Sequence, residues 1–132
     1  MSTHYHAVVW IDHHDARIVH FNLDEAETQT VHPPHPPRHL HAKAGSVSGT
    51  HVRGEDAYYR EVAQALLPAQ EVLVTGPSSA KREFVAFLQK HQPALMARVD
   101  AVESLDKTTD AELVAAARRH FKAADRMRPQ LG

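Results

Sequence analysis

Residues 33–54 divide the 132-residue chain into two parts whose hydrophobic patterns differ. The segment begins with Pro33-Pro-His-Pro-Pro37, contains three of the five glycines and has almost no large apolar side chain. Prolines cannot donate the hydrogen bonds of a strand ladder, and a segment with so little to bury does not join a core. We therefore expect residues 33–54 to form a flexible surface loop, of a length that is usually functional.

The residues before this loop have the pattern of β-strands. Tyr5–Ile11 and Ala16–Asn22 are rich in Val, Ile and aromatic residues, and Ala26–His32 has residues that favour a pleated surface. The short polar sequence Asp12-His-His-Asp15 separates the first two, and Asp side chains satisfy the backbone groups of turns locally. The pattern predicts an antiparallel meander of three strands.

The residues after the loop alternate between helical and strand periodicity. Helical stripes occur over Glu55–Leu67 and after Gly76-Pro-Ser-Ser79, and a capping box at Thr109-Asp-Ala-Glu112 begins a third helix. The predicted strands between the helices are Glu71–Thr75 and Arg98–Ser104. The inward stripe of the second helix is predicted to comprise Ala80, Phe84, Phe87, Leu88 and His91.

Short connections between alternating strands and helices favour right-handed crossovers and parallel pairing. The predicted fold is therefore α/β, with a mixed sheet of about five strands and three main helices. The N-terminal part of this sheet is an antiparallel meander and the C-terminal part is parallel.

Composition limits the class of protein. The chain has no cysteine, which excludes disulfide scaffolds and thiolate metal sites, and its formal net charge of -1 excludes a uniformly basic surface. The longest apolar run, Ala7–Ile11, is too short to span a bilayer, and the first residues lack the pattern of a signal peptide. We expect one cytoplasmic domain, residues 1–132, without a membrane partner; composition indicates no particular oligomeric state.

Twelve histidines are an unusual feature of this composition, and ten of them precede the first helix. His4 and His6 would share one face of a strand, which suits a metal ion if a third ligand approaches. No dedicated zinc spacing is present, so we expect no specific metal site and no cofactor. A histidine-based metal-binding module stays an alternative.

Basic residues form the candidate nucleic-acid contacts. Those of the last helix and the basic tail 123–132, with two at the start of the second helix, are expected to form a face that binds RNA phosphates. The alternative is that they complement the dipole of the last helix. Loop residues are expected to add further contacts. The candidates are His39, His41, Lys43, His51, Arg53, Lys81, Arg82, Arg118, Arg119 and Lys122.

Acidic residues at strand ends raise the alternative of a metal-dependent nuclease. Asp12 and Asp15 lie at the ends of the first two strands, and two-metal cleavage requires carboxylates that converge. Glu71, Asp100 and Glu103 are possible partners, but nothing in their spacing brings them together. A role of the aspartates in the turn is therefore the preferred interpretation, and we expect no catalytic residue.

The order of elements and several local sequences resemble the middle domain of the archaeal and eukaryotic class-1 peptide-chain release factors and of Pelota. The matching segments are His41–Ser46, Asp56–Ala63, Val72–Pro77 with Lys81–Phe84, and Val102–Leu113. The last of these is similar to small bacterial proteins described as translational machinery proteins. The resemblance runs from about Tyr5 to Phe121 and implies a stand-alone bacterial version of that domain.

In release factors the loop of this domain carries a Gly-Gly-Gln tip that supports hydrolysis of peptidyl-tRNA. The corresponding loop here reads Ala42-Lys-Ala-Gly-Ser-Val-Ser-Gly-Thr-His51 and contains no glutamine. The resemblance therefore implies a non-catalytic translation-associated protein that binds the ribosome or another structured RNA. A peptidyl-tRNA hydrolase that works without this tip stays an alternative.

Overall fold

The computed structural model describes residues 6–22, 25–33 and 56–127, with side chains up to residue 122. The strands are β1 (His6–Ile11), β2 (Ala16–Phe21), β3 (Ala26–Val31), β4 (Glu71–Gly76) and β5 (Val99–Ser104). The helices are α1 (56–66), α2 (Ala80–His91), α3 (Pro93–Met96) and α4 (Asp110–Met127). The predicted loop 33–54, beyond its first residue, and the side chains of the predicted tail 123–132 lie outside the described residues.

The five strands form one mixed sheet in the order β3-β2-β1-β4-β5. Strands β1, β2 and β3 pair antiparallel, as expected for a meander with short turns. Strand β4 pairs with β1 in parallel, and β5 pairs with β4 in parallel, since a helix separates these strands along the chain. The predicted fold class is confirmed.

The turn between β1 and β2 is held by Asp12. Its carboxylate Oδ1 accepts hydrogen bonds from the backbone N–H groups of His14 at 2.7 Å and Asp15 at 2.9 Å. The backbone N–H of Asp12 donates to the carbonyl of Asp15 at 3.1 Å, which closes the turn. The side chain of Asp12 thus has the local turn-forming role that its sequence context indicates.

Helices cover both faces of the sheet, as the burial of neighbouring residues in β1 shows. Val9 and Ile11 belong to a core that includes side chains from α1, α2 and α3. Val8 and Trp10 point to the opposite face, where they pack with Leu113 and other apolar residues of α4. Because side chains alternate along a strand, β1 is buried on both faces. Among the described helices, none is long and apolar enough to cross a bilayer.

Helix α2 shows where the predicted inward stripe ends. Phe84, Phe87 and Leu88 are buried as predicted, but the prediction for His91 was wrong because this residue is exposed. The imidazole of His91 instead packs against the ring of Phe87, with 4.7 Å between the ring centres. The short helix α3, which begins with Pro93, was not anticipated from the sequence.

Gly76 is required by the close approach of β1 and β4. Trp10 lies opposite Thr75 in the parallel register, so the next residues, Ile11 and Gly76, are neighbours. A Cβ atom at Gly76 would lie only 2.3 Å from the carbonyl oxygen of Ile11. The backbone φ angle of Gly76 is not positive, so the absence of a side chain and not the conformation selects glycine here.

We expect Gly76→Ala to destabilise the protein by about 2–3 kcal/mol, because the added methyl meets a backbone atom that cannot move without disturbing the sheet. Urea unfolding followed by the fluorescence of Trp10, the single tryptophan, measures this change. The control is Ser78→Ala, at an exposed position two residues further on, which we expect to change stability by less than about 0.5 kcal/mol. Equal midpoints for wild type and Gly76→Ala would contradict the steric explanation.

Candidate nucleic-acid interface

One edge of the sheet collects the connections between strands and helices. We call it the carboxyl edge, because the parallel strands β1, β4 and β5 all end there. The turn 12–15 follows β1, the turn 77–79 leads from β4 into α2, and residues 105–109 lead from β5 into α4. Helix α1 also begins at this edge, since the hydroxyl of Tyr58 donates a hydrogen bond of 2.8 Å to the carbonyl of Asp12.

The described residues on either side of segment 34–55 also lie at the carboxyl edge. Strand β3 ends at Val31, which is paired with Ala16, the first residue after the β1–β2 turn. On the other side of the segment, α1 begins at residue 56, close to the same turn. The sheet therefore brings together the two points between which the predicted RNA-binding loop runs.

Glu83 joins three elements at this edge. Its Oε1 accepts hydrogen bonds from the imidazole Nε2 of His13 and from the hydroxyl of Tyr59, each at 3.0 Å. Its Oε2 accepts a hydrogen bond of 3.3 Å from the hydroxyl of Ser79. Partial burial opposes the charge, but these hydrogen bonds outweigh it and hold the pKa of Glu83 below its ordinary value. Glu83 thereby connects the β1–β2 turn, α1 and the start of α2.

The hydroxyl of the neighbouring Tyr58 is kept protonated. Burial, and then the nearby carboxylates of Asp12 and Asp15, raise the pKa of Tyr58 far above its ordinary value. A protonated hydroxyl is what the hydrogen bond to the carbonyl of Asp12 requires, since only the O–H can donate.

Lys81 and Arg82 occupy different environments at the start of α2. Lys81 is only 5% exposed, and its Nζ donates a hydrogen bond of 2.7 Å to the carbonyl of Ser78. This bond fixes the turn between β4 and α2. Arg82 is exposed at the carboxyl edge, so of these two candidates it is the one whose charge faces solvent.

The basic residues of α4 lie at the opposite end of the sheet, which we call the amino edge. Arg118 donates a hydrogen bond of 2.9 Å to the carbonyl of Asn22, which follows β2, and its guanidinium lies 5.6 Å from the ring centre of Phe21. Phe21 is paired with His6, the first residue of β1. Arg119 and Lys122 are exposed beside Arg118. We refer to Arg118, Arg119 and Lys122 as the α4 patch.

The two groups of basic residues therefore do not form one surface. Helix α2 packs on one face of the sheet and α4 on the other. Arg82 lies at the carboxyl edge, whereas the α4 patch lies at the amino edge. The remaining candidates, His39, His41, Lys43, His51 and Arg53, lie outside the described residues.

Further contacts attach this part of α4 to the sheet. The Nε2 atom of His120 lies 2.6 Å from a carboxylate oxygen of Asp100 in β5, and its Nδ1 atom lies 3.4 Å from one of Glu103. On its other side, the buried ring of Phe121 lies 4.4 Å from that of His6, between ring centres. The α4 patch is therefore carried by a helix segment with fixed neighbours on both sides.

The acidic residues considered for metal-dependent cleavage are divided between the two edges. Asp12 and Asp15 lie at the carboxyl edge, whereas Glu71 and Asp100 lie where β4 and β5 begin. Glu103 lies near the end of β5, where its carboxylate is 3.4 Å from His120. Glu71 is paired with His6, with 3.1 Å between the carboxylate and Nε2. Across residues 6–22, 25–33 and 56–122, no three histidine, aspartate or glutamate side chains converge in a way that could hold a metal ion.

Sequence reasoning missed the role of Glu83. The available signals were its place in the first turn of α2, four residues after Ser79, where an acidic side chain complements the helix dipole. Its contacts with His13 and Tyr59 connect residues 70 and 24 positions apart, and no local pattern reveals them.

Comparison with solved structures identifies proteins that share this fold. Pelota from Archaeoglobus fulgidus matches with a TM-score of 0.62 and 15% identity over 90% of this chain and 32% of Pelota. An archaeal translation termination factor matches with a TM-score of 0.53 and 15% identity, over 91% of this chain and 39% of the factor. A further archaeal protein matches with a TM-score of 0.55 and 18% identity, over 92% of this chain and 38% of its own length.

These likenesses confirm the expected fold, that of a domain in Pelota and the termination factor. The chain spans between about a third and two fifths of the length of the structures that it matches. Neither protein-family profiles nor curated protein sequences give a match.

We expect the stabilisation by Glu83 to depend on pH. Because folding lowers its pKa below 4.5, its contribution is present above that pH and is lost as the pH falls through the native pKa. Glu83→Gln should therefore cost up to about 1 kcal/mol at pH 6, since the side chain is 44% exposed and screened by solvent. Urea unfolding at several pH values should show this difference shrinking as the pH falls below 4.5.

The matched control is Glu61→Gln, which removes an exposed carboxylate from α1. We expect little difference from wild type at any pH for this variant. A cost for Glu83→Gln that is the same at pH 3 and pH 6 would show that the charge of Glu83 is not what stabilises the edge.

Proposed function

We propose that this protein is a non-catalytic, cytoplasmic, translation-associated protein that binds the ribosome through structured RNA. The observation that carries the proposal is the likeness of nine tenths of the chain to Pelota and to an archaeal translation termination factor. A fold can host several functions, so the proposal also needs support from surfaces of this chain.

The α4 patch supplies one such surface. Arg119 and Lys122 project from the helix as exposed cations, and Arg118 is held in place by the carbonyl of Asn22 and the ring of Phe21. Because the helix backbone is already ordered, only the side chains lose conformational entropy when these cations meet phosphates, and the RNA releases counterions. This part of α4 therefore suits salt-dependent binding to an RNA backbone.

The carboxyl edge supplies the second argument. The described residues on either side of the segment that contains His39, His41, Lys43, His51 and Arg53 lie at this edge, where the exposed Arg82 also lies. We propose that these residues contact RNA. The sequence of the segment has no Gly-Gly-Gln, so the proposal is one of binding without hydrolysis.

The position of the acidic residues also favours binding over cleavage. Asp12, the residue on which a nuclease would depend, uses its carboxylate to hold the β1–β2 turn. Of its possible partners, Glu71 and Asp100 lie at the other end of the strands, and Glu103 lies 3.4 Å from His120 of α4. Two-metal cleavage would require these carboxylates to lie close enough together to bind the same two metal ions.

Sedimentation with purified bacterial and archaeal ribosomes tests the proposal. We expect the protein to co-sediment at low salt and to be released as the salt concentration rises, because phosphate contacts are salt-dependent. Lys43→Gln/Arg53→Gln and Arg119→Gln/Lys122→Gln should each reduce the bound fraction. Lys90→Gln, which removes an exposed cation from the last turn of α2, is the control and should bind as wild type does.

A release assay with ribosome-bound peptidyl-tRNA examines the non-catalytic part of the proposal. We expect no release above the rate without protein, even where the protein is bound. Absence of co-sedimentation at low salt would refute the association with ribosomes, whereas release that depends on the protein would refute the assignment as non-catalytic.

A further inference from the structure

We infer that the RNA recognised by the α4 patch is double-helical and is bound through its phosphate backbone, without preference for base sequence. This inference rests on the proposed function and specifies its ligand. It follows from where the aromatic side chains lie and from what their polar atoms contact.

Every Phe, Trp and Tyr side chain in the described part of the chain is buried. The chain contains eight Phe, Trp and Tyr residues, and seven of them lie in the described ranges. None of the seven is more than 6% exposed; they are Trp10, Phe21, Tyr58, Tyr59, Phe84, Phe87 and Phe121. The eighth is Tyr5, so the sequence of segment 34–55 contains none.

The polar atoms of these aromatic residues are also engaged. The indole Nε1 of Trp10 donates to the carbonyl of Leu105 at 2.9 Å, and the hydroxyl of Tyr58 donates to the carbonyl of Asp12. The hydroxyl of Tyr59 donates to Glu83. Exposing one of these rings would break a hydrogen bond as well as apolar packing, so they do not serve as platforms for bases.

Single-stranded RNA is bound mainly by stacking of its bases on aromatic side chains, which contributes about 1–3 kcal/mol per base. Base-specific recognition of RNA also depends on such stacking, since unstacked bases must be held in place. A guanidinium can also stack on a base. That of Arg118 already lies over Phe21, which leaves Arg119, beside Glu112 in one pocket, as the single guanidinium of the patch that could do so. Such a surface can bind the phosphates of a single-stranded RNA through charge, but it provides little stacking for the bases.

Exposed imidazoles are the remaining aromatic rings in the described ranges. The ring of His13 is hydrogen-bonded to Glu83, and the ring of His91 packs on Phe87. His14 and His32 are exposed, but neither is part of the α4 patch. They therefore provide an internal check on whether stacking contributes to binding.

A double helix matches what the α4 patch offers. Residues 118, 119 and 122 lie within about 6 Å along the axis of a helix that is attached to the sheet at Asn22, Asp100 and His6. Cations at fixed positions along an ordered helix complement a backbone whose phosphates are already held in a regular arrangement. Double-stranded RNA is recognised mainly by this shape and by its phosphates and 2′-hydroxyls.

Fluorescence anisotropy with three labelled RNAs tests the inference. The probes are a hairpin with a long duplex stem, a second hairpin with a permuted stem sequence, and an unstructured single strand of equal length. We expect the two hairpins to bind equally and at least tenfold more tightly than the single strand. The affinity for hairpins should fall steeply with salt.

Variants locate the binding surface. Arg119→Gln/Lys122→Gln should lower the slope of log affinity against log salt concentration by roughly two, about one for each phosphate that the variant no longer neutralises. Lys90→Gln should leave the slope unchanged, and His14→Ala/His32→Ala should leave the preference for the duplex unchanged.

The outcomes separate this inference from the proposed function. Two outcomes would overturn the inference while leaving RNA binding in place. One is that the single strand binds as tightly as the hairpins, and the other is that His14→Ala/His32→Ala changes the preference for the duplex. An unchanged salt slope in Arg119→Gln/Lys122→Gln would overturn the assignment to the α4 patch. No binding to any of the three RNAs would overturn the inference together with the proposed function.

Discussion

The parallel pairing of β1 with β4 is the contact on which the rest of the structure depends. It joins the part of the chain before segment 34–55 to the part after it, and it lies at the centre of the sheet. Inside the core, the hydroxyl of Thr75 donates a hydrogen bond of 2.8 Å to the carbonyl of Val9, and Gly76 allows the close approach at Ile11. Because the two strands run in the same direction, the β1–β2 turn and the start of α2 meet at one edge.

The sequence was sufficient to predict every described element except the short helix α3, because each of the others is specified by neighbouring residues. Alternating apolar residues identified the strands, and Asp12 identified the turn that its carboxylate holds. Handedness of the crossovers also places α1 and α2 on one face of the sheet. Helix α4 follows β5 and is not followed by another strand, so the handedness of crossovers does not determine which face of the sheet it covers. For this reason the sequence predicted one basic face, whereas the structure has two separate groups of basic residues, at Arg82 and at the α4 patch.

The roles of single polar residues were harder to predict, because they depend on contacts between distant parts of the chain. A lysine at the start of a helix after a Gly-Pro turn has the sequence context of a phosphate ligand. Burial and the carbonyl of Ser78 give Lys81 the task of holding that turn. Glu83 was not singled out, although it contacts both His13 and Tyr59. Local sequence reveals which groups are present, and only the fold determines which of them face solvent.

The charge distribution of α4 explains how a chain with a formal net charge of -1 can present a basic surface. Two of its three acidic residues, Asp110 and Glu112, lie in the first turn, where they complement the helix dipole, and its cations begin at Arg118. Glu112 and Arg119, two turns apart, line one pocket with Leu105 and Thr108, so the acidic turn faces this cation. Lys122 lies about 15 Å from Glu112 along the helix axis, which exceeds the screening length of about 8 Å at physiological ionic strength. Placing acidic residues in the first turn, where they stabilise the helix, therefore leaves Lys122 available to an external anion.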